Sequence, residues 1–320
     1  MGLGTVPPDQ KETEEPIQTD SSAAIALQTH DENGNQPKGT FPEEPGRTTR
    51  IWSSLWVKIG IFILSFGIFL ILWEILATLT NNSLILSAPV PVFQALIRLL
   101  QNNIPRAAEG LQSPSTAIIQ TIEIIFLGFG LSALVGIPIG ILEGRWSFAE
   151  DIIDPWINAT YSIPIVALIP TLYFAIGGSF LAFVFIAFLL SVFSIIVNTQ
   201  NGVKYTVGSL ADVGRSFRSS EMQFITKIVL PSSLADIITG LRIGLGRAIL
   251  GAILAQVLLS GNGLGGMMTT FQDLYDTPYT MATILIIAVL GIVLLQLPKL
   301  LENRFITWRP SDQNSGDAAK

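Results

Sequence analysis

Cysteine is absent from this 320-residue chain, and histidine occurs once. The first absence excludes disulfides, thiolate zinc sites, iron–sulfur ligation and a cysteine nucleophile. The single imidazole, His30, sits between Thr29 and Asp31 in a polar segment. It has no neighbours with which to build a site, so neither a metal nor a cofactor is expected. Charge is scarce as well: Asp, Glu, Lys and Arg make up 13% of the residues, against 49% hydrophobic. A soluble domain carries about 25% charged residues, so most of this chain needs no water-facing surface. Paired acids inside the apolar stretches are also missing, which leaves a membrane enzyme without the usual acid–base groups.

What charge there is lies unevenly. Residues 1–50 hold nine acids and four bases, so most of the net charge of −6 belongs to that segment. Its composition ("PPDQKETEEP", "DENGNQPKGTFPEEPG") buries too little apolar surface to offset the ordering entropy, and a disordered acidic tail is expected. It contains no short apolar run followed by a cleavage site, so the first apolar span is expected to direct insertion itself.

Apolar runs near the length of about 20 residues that a bilayer requires fall at about 57–79, 117–142, 155–177, 179–200, 235–259 and 279–301. The expected fold is an all-α membrane protein with six transmembrane helices over residues 51–309 and a short tail over 310–320. Between the first two spans, "LSAPVPVFQALIRLLQNN" reads as an interfacial or extracytoplasmic helix bearing Arg98, with Arg106 following. Sixteen of the eighteen Lys and Arg fall on the side that holds both termini. By the positive-inside rule the N and C termini are therefore cytoplasmic. Trp52, Trp56, Trp73, Trp146, Tyr205, Tyr279 and Trp308 cluster near span ends, as an interfacial aromatic belt does.

One stretch on that side is polar, "SLADVGRSFRSSEMQFITKIVLP", from Ser209 to Pro231. Leu210, Val213 and Phe217 recur at helical spacing, as do Phe224, Ile225, Ile228 and Val229. Ser209 with Asp212, and Ser220 with Gln223, read as two capping boxes. The stretch is thus expected to form two short amphipathic helices, with a turn near Arg218–Ser219 and Pro231 closing the second. Helices this short need a surface to lie on, either the membrane-side ends of the spans or a cytoplasmic partner.

The order of residues here resembles the EAA loop of ABC importer permeases, which reads Glu-Ala-Ala, three residues, Gly, nine residues, Ile-x-Leu-Pro. Asp212-Val213-Gly214, Arg218 and Ile228-Val229-Leu230-Pro231 fall at those positions. "SIPIVALIPTLYFAIG" (162–177) and "LLSGNGLGGMM" (258–268) are similar to two further stretches of the permeases for nitrate, taurine and alkanesulfonates. The likeness covers about residues 51–309. It implies the type I ABC importer permease fold, in which the loop docks on a separate ATP-hydrolysing subunit. Asp212, Val213, Gly214, Arg215, Arg218, Leu230 and Pro231 then carry the coupling, and the chain itself is not an enzyme. The implied partners are a cytoplasmic ATPase dimer, an extracytoplasmic solute-binding protein, membrane lipid and a second permease copy, as a homodimer. Four departures stand out: Asp212 for Glu, Val213-Gly214 for Ala-Ala, Arg218 for the loop Gly, and Ala255-Gln256 where the subgroup has Ala-Glu. If position 218 needs a left-handed backbone, a non-glycine residue there costs about 1–2 kcal/mol.

Other residues invite function. Pro155, Pro164 and Pro170 free backbone carbonyls within the third span. They suggest either a packing kink or a bent helix lining a pathway with Asn158, Tyr161 and Ser162. Gln256 joins that pathway set. "GNGLGG" (261–266) has the wrong spacing for a phosphate loop and lacks a Lys-Ser/Thr after it, so it reads as a tight turn or re-entrant segment at the outer mouth. Gly240, Gly244, Gly246 and Gly251 read as helix packing. Arg242 and Arg247, placed at the cytoplasmic end of the fifth span, fit the positive-inside rule or an anion-attracting role. The alternative to an ATP-driven importer is an ion-gradient-driven secondary transporter or channel, which would show deep ionisable residues and inverted repeats.

Overall fold

The computed structural model describes residues 55–80, 82, 84–105, 110–259 and 261–298. The tail over 1–50, the residues after Leu297–Pro298, and Arg106 lie outside this set. Contacts divide the chain into two units, Met1–Phe66 and Gly67–Lys320, with the boundary inside the first helix, α1 (Leu55–Thr80). In the first unit the opening turns of α1 carry Phe62 and Phe66, stacked at 6.5 Å.

Every regular element among the described residues of the second unit is helical. After α1 come α2 (Pro89–Leu100), α3 (Pro114–Arg145), α4 (Ser147–Ser162), α5 (Ile165–Ala175) and α6 (Phe180–Ser216). A short turn, α7 (Glu221–Phe224), passes through a π-helical turn, Ile225–Val229, into α8 (Leu230–Ser232). The last helices among the described residues are α9 (Leu234–Leu258), α10 (Leu264–Asp273) and α11 (Thr277–Leu294). Among the described residues five helices (α1, α3, α6, α9 and α11) are long and apolar enough to cross a membrane, and the bent pair α4–α5, taken as one span, raises this to six. The expected span 155–177 is therefore not one helix. It breaks at Ile163–Pro164 with a bend of 97°, because Pro164 has no N–H to donate and its ring clashes with an α-helical turn before it. Pro155 and Pro170 stay inside α4 and α5.

Small residues build the core. Gly128, Ser132, Gly136, Gly140 and Gly144 recur every fourth position along α3 and are all buried. A Cβ on Gly128 would stand 2.6 Å from Ala187 Cβ, one on Gly140 2.6 Å from Thr199 Cβ, and one on Gly144 2.6 Å from Val203 Cβ. Their absence lets the α3 backbone lie directly on α6, and Ser132 Oγ reaches across to Phe188 O at 3.0 Å. In lipid such close packing replaces the hydrophobic drive available in water. Gly240, Gly244 and Gly251 of α9 likewise let that helix lie close to α6, against Asn198, Ile195 and Ala187. Gly246 does not take part, since a Cβ there meets only Leu295 at an ordinary 3.6 Å. A second cluster joins α2 to α10 and α11, with Val92, Ala95 and Leu99 buried beside Met267, Phe271 and Ile286.

Candidate functional site

Three places in this frame bear the residues singled out from sequence. The first is the polar stretch after α6. No helix begins at Ser209: α6 runs unbroken through it to Ser216, and Ser209 Oγ bonds back to Tyr205 O at 3.0 Å. A capping serine needs a non-helical backbone, and extending a helix already formed upstream is easier than nucleating a new one. Asp212, Val213 and Arg215 lie on the last turns of α6, with side chains outside the described residues.

The reversal itself is tightly specified. Arg218 adopts φ +49°, the left-handed residue of a Schellman-type ending, and Ser219 N donates to Gly214 O at 3.2 Å across six residues. Ser219 Oγ reaches the same carbonyl at 3.0 Å. Ser220 then starts α7 with a complete capping box: its Oγ accepts from Gln223 N at 3.4 Å, and Gln223 Oε1 accepts from Ser220 N at 3.2 Å. Gly214 is required where it stands, because a Cβ there would meet the Phe224 ring at 2.5 Å. Phe224 is buried with Val203 and Val229. Arg145, at the end of α3, grips Glu221 at 2.7 Å and lies 5.5 Å from the centre of the Phe224 ring.

Pro231 does not close the second helix. It sits within α8, which continues from the π-turn. The wider turn spans Lys227, whose carbonyl an α-helical proline at 231 would strike. Ser233 Oγ donates to Val229 O at 2.8 Å beyond it. Leu230 and Pro231 are exposed, and so are Phe217 at 79% and Met222 at 71%.

The second place is the break between α4 and α5. Asn158, Ser162, Pro164 and Pro170 are exposed, while the Tyr161 side chain lies outside the described residues. Ser162 Oγ donates to Asn158 O at 3.0 Å. A cavity of about 220 Å³ opens at the bend, bordered by Thr160, Ile163, Ile165, Phe193, Arg247 and Leu250. Arg247 is thus not at a helix end. It is the fourteenth of the 25 residues of α9, about 20 Å along it from Leu234 at 1.5 Å per residue. Counting bases by side hides this, because the count assigns every residue between two loops to one of them. An arginine at this depth costs about 2.5–3.5 kcal/mol on insertion scales.

The third place is the turn after α9. Gly263 adopts φ +98° and ψ −173°, a conformation open essentially to glycine alone. Gln256 is fully buried, and its Oε1 accepts from Gly265 N at 3.0 Å. Thr121 Oγ1 accepts from Leu264 N at 2.9 Å, and its proton is shared between Ala117 O at 2.9 Å and Gln256 Oε1 at 3.2 Å. Gln112 Oε1 accepts from Gly263 N at 3.0 Å. Gln256 therefore holds a turn, apart from the cavity that Arg247 borders.

Sequence reasoning missed the α3 glycine ladder, the Arg145–Glu221 pair and the buried Glu143. The ladder was visible as small residues four apart. The pair joins positions 76 apart and left no local signal. Glu143 is 1% exposed with neither oxygen hydrogen-bonded among the described residues.

These helices, with the capped loop between α6 and α9, define an α-helical protein built to cross a membrane several times. Residues 136–307 match the family model described as binding-protein-dependent transport system inner membrane component. The chain belongs to that family. A putative ABC transporter permease of Methanocaldococcus jannaschii is 30% identical over 75% of this chain and 88% of its own length. The formylaminopyrimidine transport permease of Halalkalibacterium halodurans is 29% identical over 77% of this chain and 94% of its own. The nitrate import permease of Synechocystis is 28% identical, covering 77% and 86% respectively. Among solved structures, the inward-facing MetNI methionine ABC transporter aligns with TM-score 0.54 at 16% identity, over 63% of this chain and 99% of that one. That likeness concerns the fold. The protein is the membrane-spanning subunit of an ABC importer, and it is a transport component, not an enzyme.

Proposed function

We propose that this permease imports a small anionic solute, handed to it by an extracytoplasmic binding protein, and takes its drive from a cytoplasmic ATPase dimer through residues 209–231. In this reading Asp212, Val213, Gly214, Arg215, Arg218, Leu230 and Pro231 form the docking element, and both termini share its cytoplasmic side. Two copies of the chain enclose one pathway. The bend of α4 and α5, with Asn158, Tyr161, Ser162, Pro164 and Pro170, borders it.

The observation that carries the reading is the form of the loop. Its backbone is fixed by Gly214 against Phe224, by the left-handed Arg218 and by the Ser220 capping box. Its large side chains Phe217 and Met222 nevertheless stay outside the packed cluster. A rigid turn offering exposed apolar groups suits a protein surface. A partner that grips the loop differently in its open and closed states can shift the permease between inward and outward forms. The anionic cargo is supported by relatives named for nitrate, aliphatic sulfonates and bicarbonate.

The test is capture of the cognate ATPase by solubilised permease, comparing wild type with Asp212→Ala and Gly214→Glu. Gly214→Glu is expected to abolish capture, because its side chain displaces Phe224, while Asp212→Ala weakens it without disturbing the fold. Undiminished capture by both variants, with each still monodisperse, would remove the coupling assignment.

A further inference from the structure

The corner between α3 and α4 is held from two distant parts of the chain. Arg145, the last residue of α3, reaches Glu221, the first residue of α7, across 76 positions of sequence. Its Nη2 donates to Glu221 Oε1 and Oε2, each at 2.7 Å, and its Nε donates to Oε2 at 3.2 Å. The guanidinium also stands 5.5 Å from the centre of the Phe224 ring, which itself presses on Gly214 of α6. Just beyond the corner, Glu150 of α4 meets Lys204 of α6, and Asp154 accepts from Gln200 Nε2 at 3.2 Å. Stability does not account for the Arg145–Glu221 pair. The Glu221 side chain is 66% exposed, and an ion pair so open to water adds little. Apolar packing already keeps the loop beside α3, through Ile141 against the cluster of Val203, Phe224 and Val229. Such packing has no direction. A forked guanidinium–carboxylate pair does, because it fixes the angle between two groups as well as their distance.

We propose that Arg145 is a positioning residue of the coupling machinery: through Glu221 it ties the docking loop to the α3–α4 corner, so that a loop moved by the ATPase tilts α4. This deepens the coupling reading above and rests on it for the source of the movement. The arrangement is a lever. Glu150 and Asp154 keep the first half of α4 on α6, while the corner just before them follows Glu221. A loop shifted relative to α6 therefore turns α4 about those two contacts and moves its last turn, beside the 97° break. Without the pair, the loop slides against Ile141 and leaves α4 behind. An arginine is the residue this link requires, since a lysine would keep the charge and lose both the fork and the flat contact with Phe224.

The absence of cysteine permits a single reporter. Ala159→Cys puts a thiol at an exposed position on the last turn of α4. It is labelled with bimane in the full chain in lipid nanodiscs, before the cognate ATPase is added. Bimane emission follows local packing and polarity, so its shift between the nucleotide-free complex and the complex trapped with ATP and vanadate reads the movement of α4. Capture of the ATPase and the thermal midpoint are measured on the same preparations. Arg145→Gln and Glu221→Gln should each keep capture and a near wild-type midpoint, while the emission shift falls roughly fivefold. The double variant should lose no more than either single one, as for two groups that act only through each other. Glu221→Gln, at an exposed site, decides alone where Arg145→Gln does not fold. A shift that survives both substitutions overturns the proposal, as do losses that add in the double variant or a wild-type complex in which residue 159 reports no change. Loss of capture in both variants overturns it too, because the pair would then belong to the docking surface. Failure of the coupling reading looks different: wild type itself captures no ATPase, and both assignments fall.

Discussion

Two turns flank α9 along the chain, one through Arg218, sixteen residues before Leu234, and one just after Leu258, and they are fastened in opposite ways. The turn after it, through Gly263, is tied inward by hydrogen bonds to the half-buried Gln112 and the buried Thr121 and Gln256. The one before it, through Arg218, is held by its own caps, by a single glycine–ring contact and by a partly exposed ion pair. The first spends its polar groups on the core of its own subunit. The second leaves Phe217 and Met222 outward. A turn fastened from behind keeps its shape whether or not anything binds it. A turn fastened along its own backbone keeps its shape too, and still offers its side chains to another protein. The contrast separates a structural lock from a docking element within one chain.

Breaking the lock should have the largest effect. Gly263→Ala puts a Cβ 2.3 Å from Gln256 Nε2 and 2.8 Å from Thr121 Oγ1, at a backbone angle of φ +98°. Strain and overpacking together should cost roughly 3 kcal/mol or more, seen as a large drop in the thermal midpoint of the detergent-solubilised permease. Gln256→Leu keeps the volume but leaves the buried Gly265 N–H without its acceptor, for a loss of about 1–3 kcal/mol by the same measurement. Both variants should still capture the ATPase below their midpoints, because neither touches the other turn. Loss of capture at a temperature where they remain folded would mean that the two turns are not independent.

Much of this contrast was within reach of the sequence, though unevenly. The Ser220–Gln223 box and the reversal at Arg218 are local, set by residues a few positions apart. Long apolar runs likewise declare the helices that cross the membrane, because about 20 residues of hydrocarbon is a demand no soluble element makes. Ser209 misled because its spacing to Asp212 is also local, yet the state of the chain before it decided the outcome. Gln256 was unreadable for a different reason. Its role depends on Thr121, 135 positions away, and nothing in "AQVLLSGNGLGG" announces that partner. Arg247 fell between these cases: its identity was plain, while its depth required knowing where α9 begins and ends.

The smallest expected effect sharpens the comparison most. Arg218 holds a left-handed backbone at φ +49° without being glycine, so Arg218→Gly should relieve about 1–2 kcal/mol of local strain. Part of that gain is lost to the greater freedom of glycine in the unfolded chain, and the thermal midpoint should rise only slightly. If the partner reads the shape of the turn, ATPase capture by Arg218→Gly should match wild type, since the Gly214–Phe224 contact and the Ser220 cap are untouched. A variant that is as stable as wild type yet captures no ATPase would show that the exposed guanidinium itself is read. The loop would then be a charged contact first and a rigid apolar one second, and its difference from the inward-tied turn would lie in side-chain chemistry more than in how each backbone is held.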